Sequence, residues 1–239
     1  MASDKQYSHK QIAEDFDAFS IQYEKTINKA IAFGGSEHNF YIDVKRDRLV
    51  ELASEVFLNL KEIVALDFGC GVGSYHPKLK GVFGQLHGAE ISEKSVEIAK
   101  RKNPWVNYCL YDGEILPYEN ESFDLVFAIC VLHHVPTESW DKFMSEVYRI
   151  VKPGGLALIF EHNPYNPATQ YIVANCEIDK DAVLLSVNRL KSLFLGGGFR
   201  EIGSRSILTV PPKGKILKKL DNLFGYLPFG AQYFVSGRK

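Results

Sequence analysis

The chain has 239 residues, is 46% hydrophobic and carries a formal net charge of -1 at pH 7. A sequence of that length and apolar content can bury a full core in one domain, and its balanced charge gives no general pull toward the phosphates of DNA or RNA. The polar N-terminus and the lack of an uninterrupted apolar run of about 18 residues argue against an export signal or a membrane-spanning helix. Cys70, Cys109, Cys130 and Cys176 lie far apart with no C-x-x-C spacing; they are expected to be reduced, buried thiols of a cytoplasmic protein.

Residues 1–60 hold Phe16, Phe19, Tyr23, Phe33, Phe40 and Tyr41 around the Gly34-Gly35 pair, followed by an amphipathic helix near 43–60. From Ile63 onward, short β-branched runs alternate with helical patterns, the signature of parallel strands joined by crossover helices. Strands are expected near 63–68, 86–91, 105–111, 123–130 and 155–161. Ser92 caps a helix over 93–102 that closes on basic residues. Thr137 is the expected N-cap of a helix whose apolar stripe is Trp140, Phe143, Met144, Val147 and Ile150. A helix from Ser186 to Leu195 ends at Gly196-Gly197-Gly198, and Phe199–Val210 and Gly230–Gly237 read as the last strands. Between them, residues 211–227 place Lys213, Lys215, Lys218 and Lys219 beside Ile216, Leu217, Leu220, Leu223 and Phe224. That stretch suits either a helix packed on the domain or peripheral contact with an anionic membrane.

The segment Val64-Ala65-Leu66-Asp67-Phe68-Gly69-Cys70-Gly71-Val72-Gly73-Ser74 carries most of the functional information. An apolar strand runs into a glycine-dense turn, where missing Cβ atoms let the main chain turn sharply and approach a flat ligand. A phosphate-binding P-loop would end in Gly-Lys-Ser/Thr, and the dinucleotide fingerprint needs a glycine where Ser74 stands. With Asp67 ahead of Gly69, Gly71 and Gly73, the segment resembles motif I of the class I S-adenosylmethionine (SAM)-dependent methyltransferases. Leu86–Ser92, Tyr111-Asp112-Gly113, Ser122–His134 and Val151-Lys152-Pro153-Gly154-Gly155 look like the later motifs in register. The resemblance covers residues 60–162 and, more loosely, the remainder.

The resemblance implies an α/β, Rossmann-like class I methyltransferase fold: a seven-stranded, mostly parallel sheet with an antiparallel last strand and helices on both faces. It implies one domain over 1–239, with 1–60 as a helical cap over a core at 61–239. The cofactor would be SAM, with S-adenosylhomocysteine as product, held by Tyr23, Asp67, Gly69, Cys70, Gly71, Gly73, Glu90, Ile91, Asp112, Gly113, Ile129 and Cys130. Glu90 would accept from the ribose hydroxyls, or else cap its helix as a surface acid; Asp112 would meet the adenine edge, or else form an Asp-Gly turn. Asp67 would orient the loop and the methionine amino group, and Tyr23 would close over the methionyl end or serve as core.

His133 and His134 leave the fourth strand where open α/β sheets place ligands, and His162 leaves the fifth. Each is a candidate general base, since imidazole titrates near working pH. At most one of the adjacent pair should face the pocket, and helix capping competes. The polar groups of Glu161–Tyr165 would position an acceptor, and no clustered acids suggest a metal. The expected activity is methyl transfer to an oxygen, less so a carbon, of a small-molecule or lipid-linked acceptor. The chain is also similar to the ubiquinone/menaquinone-biosynthesis type. The alternatives are an NAD(P)-dependent oxidoreductase and a non-catalytic SAM-binding module.

Overall fold

A computed structural model describes residues 8–32, 37–210 and 212–239. Phe33, Gly34, Gly35, Pro211, the polar stretch before Ser8 and the side chain of Lys215 lie outside the described residues. In chain order the strands are β1 (Val64–Phe68), β2 (Gln85–Glu90), β3 (Asn107–Leu110), β4 (Phe123–Ile129), β5 (Val151–His162), β6 (Arg200–Ile207) and β7 (Gln232–Arg238). They form a seven-stranded sheet in the order β3-β2-β1-β4-β5-β7-β6. The first five run parallel, while β7 lies antiparallel between β5 and β6. The Val151-Lys-Pro-Gly-Gly turn expected before β5 is instead its first segment, and the β4–β5 register shifts between Phe123 and Leu125.

Alternation along the strands builds two cores. Leu66, Phe68, Val126, Ala128, Ala157 and Ile159 face one side, with Phe143, Met144 and Val147 of α6 (Trp140–Ile150) and Leu190, Leu193 and Phe194 of α8 (Val187–Gly196). Ala65, Leu125, Phe127, Leu156 and Leu158 face the other, against Leu49 and Ala53 of α3 (His38–Val56) and Leu79 of α4 (His76–Leu79). Helix α3 starts and ends earlier than expected, because its polar first turns point to the cavity described below. Thr137 is not the cap of α6: residues 137–139 form a 3-10 turn, and the helix begins at Trp140. Ser186 and Ser92 do cap their helices, the latter that of α5 (Glu93–Lys102).

The N-terminal α1 (His9–Phe19) and α2 (Tyr23–Ile31) lie over the carboxyl ends of the strands. Asp17 fixes α1 there: its Oδ1 accepts from Ser92 Oγ at 2.6 Å and from Lys94 N at 3.1 Å. His9 packs on Gly113 so closely that a Cβ at that glycine would fall 2.6 Å from the ring. Helix α7 (Pro167–Ala174) follows β5, and α9 (Gly214–Phe224) follows β6.

Ser92 therefore does two jobs, accepting from Ser95 N at 3.1 Å and donating to Asp17. Ser92→Ala is expected to remove about 1 kcal/mol from the cap alone and to loosen α1. Thermal melting should fall by a few degrees, and protease should cut earlier within residues 9–31; an unchanged melting curve would contradict the linkage.

Candidate functional site

The carboxyl ends of β1, β2, β4 and β5 open into one cavity, roofed by side chains of α1, α2, α3 and α7. Its floor is the glycine loop. Gly69 has φ +82 and sits under Val131, whose Cγ atoms would lie 2.6 Å from an added Cβ. Gly71, at φ +50, is the opposite case: a Cβ there would meet no atom within 4 Å. Its open side is where a flat ligand can lie against main chain. Amide bonds from Gly69 N and Cys70 N to Ala89 O, at 2.8 and 3.1 Å, tie the loop to β2.

Glu90, buried at the end of β2, clamps three amides. One carboxylate oxygen accepts from Gly71 N at 2.8 Å, the other from Ile91 N at 2.8 Å and Ser92 N at 3.0 Å. Burial raises its pKa from the ordinary carboxylate value, and the amide bonds oppose that. Glu90 is no surface acid; it lines the cavity. Asp67 also lines it but gives its carboxylate to His76 Nε2 at 3.0 Å, whose Nδ1 lies 2.5 Å from Tyr108 OH. That chain braces the loop from behind. Asp112 behaves differently: it is exposed, and its Oδ1 accepts from Glu114 N at 2.8 Å and Ile115 N at 3.3 Å in an Asp-Gly turn. Its neighbours Tyr111 and Gly113 line the cavity in its place, as do Tyr23, Cys70, Ile91, Ile129 and Cys130. Gly73 turns toward Asn103 and Tyr108 instead.

The rim differs most from expectation. His133 and His134 lie on a 3-10 turn rather than an extended exit, so both reach the cavity, with ring centroids 4.1 Å apart. His162 joins them, 5.1 Å from His133. His133 Nδ1 is 2.5 Å from Glu161 Oε2, and its Nε2 is 3.6 Å from Asp179 Oδ1. Burial works against charge on this ring, yet Glu161 and Asp179 together hold its pKa well above the ordinary value. Burial and the charged His133 push His134 down to about 3, so that ring stays neutral. His162 is half-buried, with Nδ1 3.2 Å from Gln232 Nε2.

Asn163 does not position an acceptor; its amide donates to Pro228 O and Gly230 O at 2.9 and 2.8 Å and holds the chain before β7. Nε2 of His133 and His134 and an Asp179 oxygen lie within 4.8 Å of one another, the one cluster of metal-ligating side chains found among the described residues. The sequence held no signal for Asp179, which follows α7 in an irregular stretch. Lys45 and Tyr75 were missed too, though His38, Tyr41 and Lys45 recur at helical spacing and all face the cavity. The four thiols are free, but only Cys70 and Cys176 are fully buried.

A family model described as a methyltransferase domain matches residues 66–159. The sterol 4-C-methyltransferase strm-1 of Caenorhabditis elegans is 26% identical over 142 residues, covering 54% of this chain and 42% of that protein. Phosphoethanolamine N-methyltransferase 2 of the same organism is 33% identical over 100 residues, covering 39% of this chain and 22% of that one. The chain thus spans less than half the length of these curated relatives. Among solved structures, a SAM-dependent methyltransferase of Thermotoga maritima, described as a possible histamine N-methyltransferase, superposes with a TM-score of 0.69. It is 22% identical and covers 95% of this chain and 99% of that one, which is a likeness of fold.

The titration of the buried histidines has a thermodynamic consequence. His38 is lowered to about 4, chiefly by burial and then by Lys45, and His134 to about 3. Between the ordinary histidine value and these, the unfolded chain binds protons that the folded protein refuses, so stability falls as pH drops through that window. His133 adds no slope there, being protonated in both states; its contribution is lost only as pH rises toward its elevated value. Melting temperatures should decline from about pH 6.5 to about pH 4.5, and the H38N/H134N double variant should flatten the decline.

Proposed function

We propose that this chain, whose core is a class I methyltransferase domain, transfers the methyl group of SAM to an oxygen, less readily a carbon, of a small or lipid-linked acceptor. One observation carries the reading: the open main-chain shelf at Gly71, flanked by the buried Glu90 carboxylate, shares one cavity with the rim histidines His133, His134 and His162. The shelf and the carboxylate fit a nucleoside, since vicinal hydroxyls donate and an ionised carboxylate only accepts. We assign Glu90 to the ribose, the main chain of residues 69–71 with Ile129 and Cys130 to the methionyl side, Tyr111 and Gly113 to the adenine side, and Tyr23 to the roof. Residues 1–60 act as the cap.

SAM, when bound, supplies an electrophilic methyl group; the protein's part is alignment, exclusion of water and removal of the acceptor's proton. His133 already holds its proton between Glu161 and Asp179, and His134 is too weakly basic at about 3. We therefore assign the proton to His162, and assign His133 the task of shaping the rim. Apolar walls from Ile12, Phe16, Ile27, Ile31 and Ile172 suit an apolar acceptor, such as the quinone-type phenols suggested by the resemblance. The near-neutral charge favours a small acceptor over a nucleic acid. No step in this reading needs a metal.

Radiolabelled methyl transfer into extracts should persist in excess chelator. Glu90→Gln should weaken SAM binding by about tenfold or more, as a charged acceptor is lost. His162→Ala should slow transfer by about 100-fold with SAM affinity kept. If Glu90→Gln leaves calorimetric affinity unchanged, the ribose assignment fails.

Lipid access is the second element. One side of α9 docks on the body: Leu217 and Leu220 are half-buried, and Asp221 accepts from Leu208, Thr209 and Val210 amides. The other side and the turn after it expose Ile216, Leu223, Tyr226, Leu227 and Phe229, beside exposed Lys213 and Lys219. This surface fits an anionic membrane. The protein should float with vesicles rich in phosphatidylglycerol and not with phosphatidylcholine alone, and L223E/F229E should abolish flotation.

A further inference from the structure

Lys45 is a buried ammonium with no acid of its own. Only 5% of the residue is exposed, and it projects from α3 into the cavity. Its Nζ lies 3.6 Å from Cys130 Sγ and 5.8 Å from the centre of the Tyr75 ring. None of the carboxylates among the described residues forms an ion pair with it; the groups that favour its charge are Cys130 and Tyr75. His38, two turns earlier on the same face of α3, feels the Lys45 charge. A buried charge without a counter-charge is costly, and proteins keep one where a ligand completes the pair.

The surroundings say which ligand. Tyr75 continues the glycine loop, and Cys130 is the first residue after β4, held at φ +58 with its amide donating to Phe160 O at 2.9 Å. Between loop and Tyr75 stands Ser74, whose buried hydroxyl has no partner in the protein and lines the same cavity. Lys45, Ser74 and Tyr75 line the same cavity, Lys45 beside Tyr75 and Ser74 next to Tyr75 in the chain, by the backbone that carries the methionyl side of the cofactor in the function proposed above. Two hydroxyl donors and a cation form a receptor for a carboxylate.

We propose that Lys45, with the hydroxyls of Ser74 and Tyr75, binds the methionyl α-carboxylate of SAM. The inference rests on the cofactor reading of the site and adds to it the residue that tells the amino-acid end of the ligand from a bare nucleoside. Without the ligand, Lys45 must lean on the Cys130 thiol: burial would raise that thiol, but Lys45 and His162 bring it down to about 7. A bound carboxylate replaces that partner and lets the thiol keep its proton, which removes a nucleophile from beside an electrophilic methyl group.

The test compares S-adenosylhomocysteine, which has the carboxylate, with 5′-methylthioadenosine, which lacks the whole amino-acid end, by calorimetry. Lys45→Met should weaken S-adenosylhomocysteine by about 30-fold or more and 5′-methylthioadenosine by less than about twofold, with Lys45→Arg recovering most of the loss. Ser74→Ala should show a smaller loss of the same selective kind. Lys45→Met should melt no lower than the parent in the absence of ligand, since a buried unpaired charge is replaced by an apolar chain of similar length. Equal weakening of both ligands, or of neither, overturns the proposal while leaving the cofactor reading intact. If the parent protein binds neither ligand, the cofactor reading itself falls, and this inference with it.

Discussion

The arrangement depends on where the Glu90 carboxylate points. A glycine-dense loop has no side chains with which to fix itself, and each glycine loses more freedom on folding than any other residue. Glu90 supplies the fixation by accepting from Gly71 on one oxygen and from Ile91 and Ser92 on the other. The same carboxylate thereby joins the exits of β1 and β2 to the first turn of α5, and Ser92 passes that connection to α1 through Asp17. Floor and roof of the cavity are thus joined by one hydrogen-bond path that runs from the Gly71 amide through Glu90 and Ser92 to Asp17.

The electrostatics divide the cavity in two. At the rim, Glu161 and Asp179 flank His133 and hold a proton on it. At the loop corner the balance is reversed, with Lys45 beside the Cys130 thiol and the Tyr75 hydroxyl. A zwitterionic amino acid attached to a nucleoside matches that polarity: its carboxylate belongs with Lys45, and a cationic centre is tolerated toward the acidic rim. The backbone of Cys130 lies between the two halves, its thiol touched by Lys45 and by His162, which places the reactive groups around one residue in a left-handed conformation.

Much of this was legible from residue order. The strand periods, the Ser92 cap and the alternation of β and α made the sheet through β5 readable, because these signals are local. The glycine turn that floors the cavity was legible for the same reason, as glycines spaced closely after an apolar strand mark a sharp backbone turn. What stayed hidden was set by tertiary contact. Asp112 carries the signature of both a ligand acid and a turn residue, and only the fold shows one of its oxygens, Oδ1, accepting from the Glu114 and Ile115 amides. The pair His133 and His134 looked divergent under the alternation of an extended chain, but a 3-10 turn brings both inward. Lys45 and Asp179 meet the site across large sequence separations, and nothing near either one announces it.

The limits of the family match follow the same division. Residues 66–159 contain the glycine loop, Glu90 and the β4 exit with His133 and His134. The roof and far wall lie outside that span: Ile12, Phe16, Tyr23 and Lys45 before it, and His162, Ile172, Asp179 and Gln232 after it. Relatives named for a sterol carbon and for an amine nitrogen match this chain over partial segments. Acceptor chemistry is therefore decided by walls that the shared core does not specify. In this chain those walls are apolar on α1 and α2 and imidazole-lined at the exits of β4 and β5, so what the cavity accepts is set by side chains that lie largely outside the shared core.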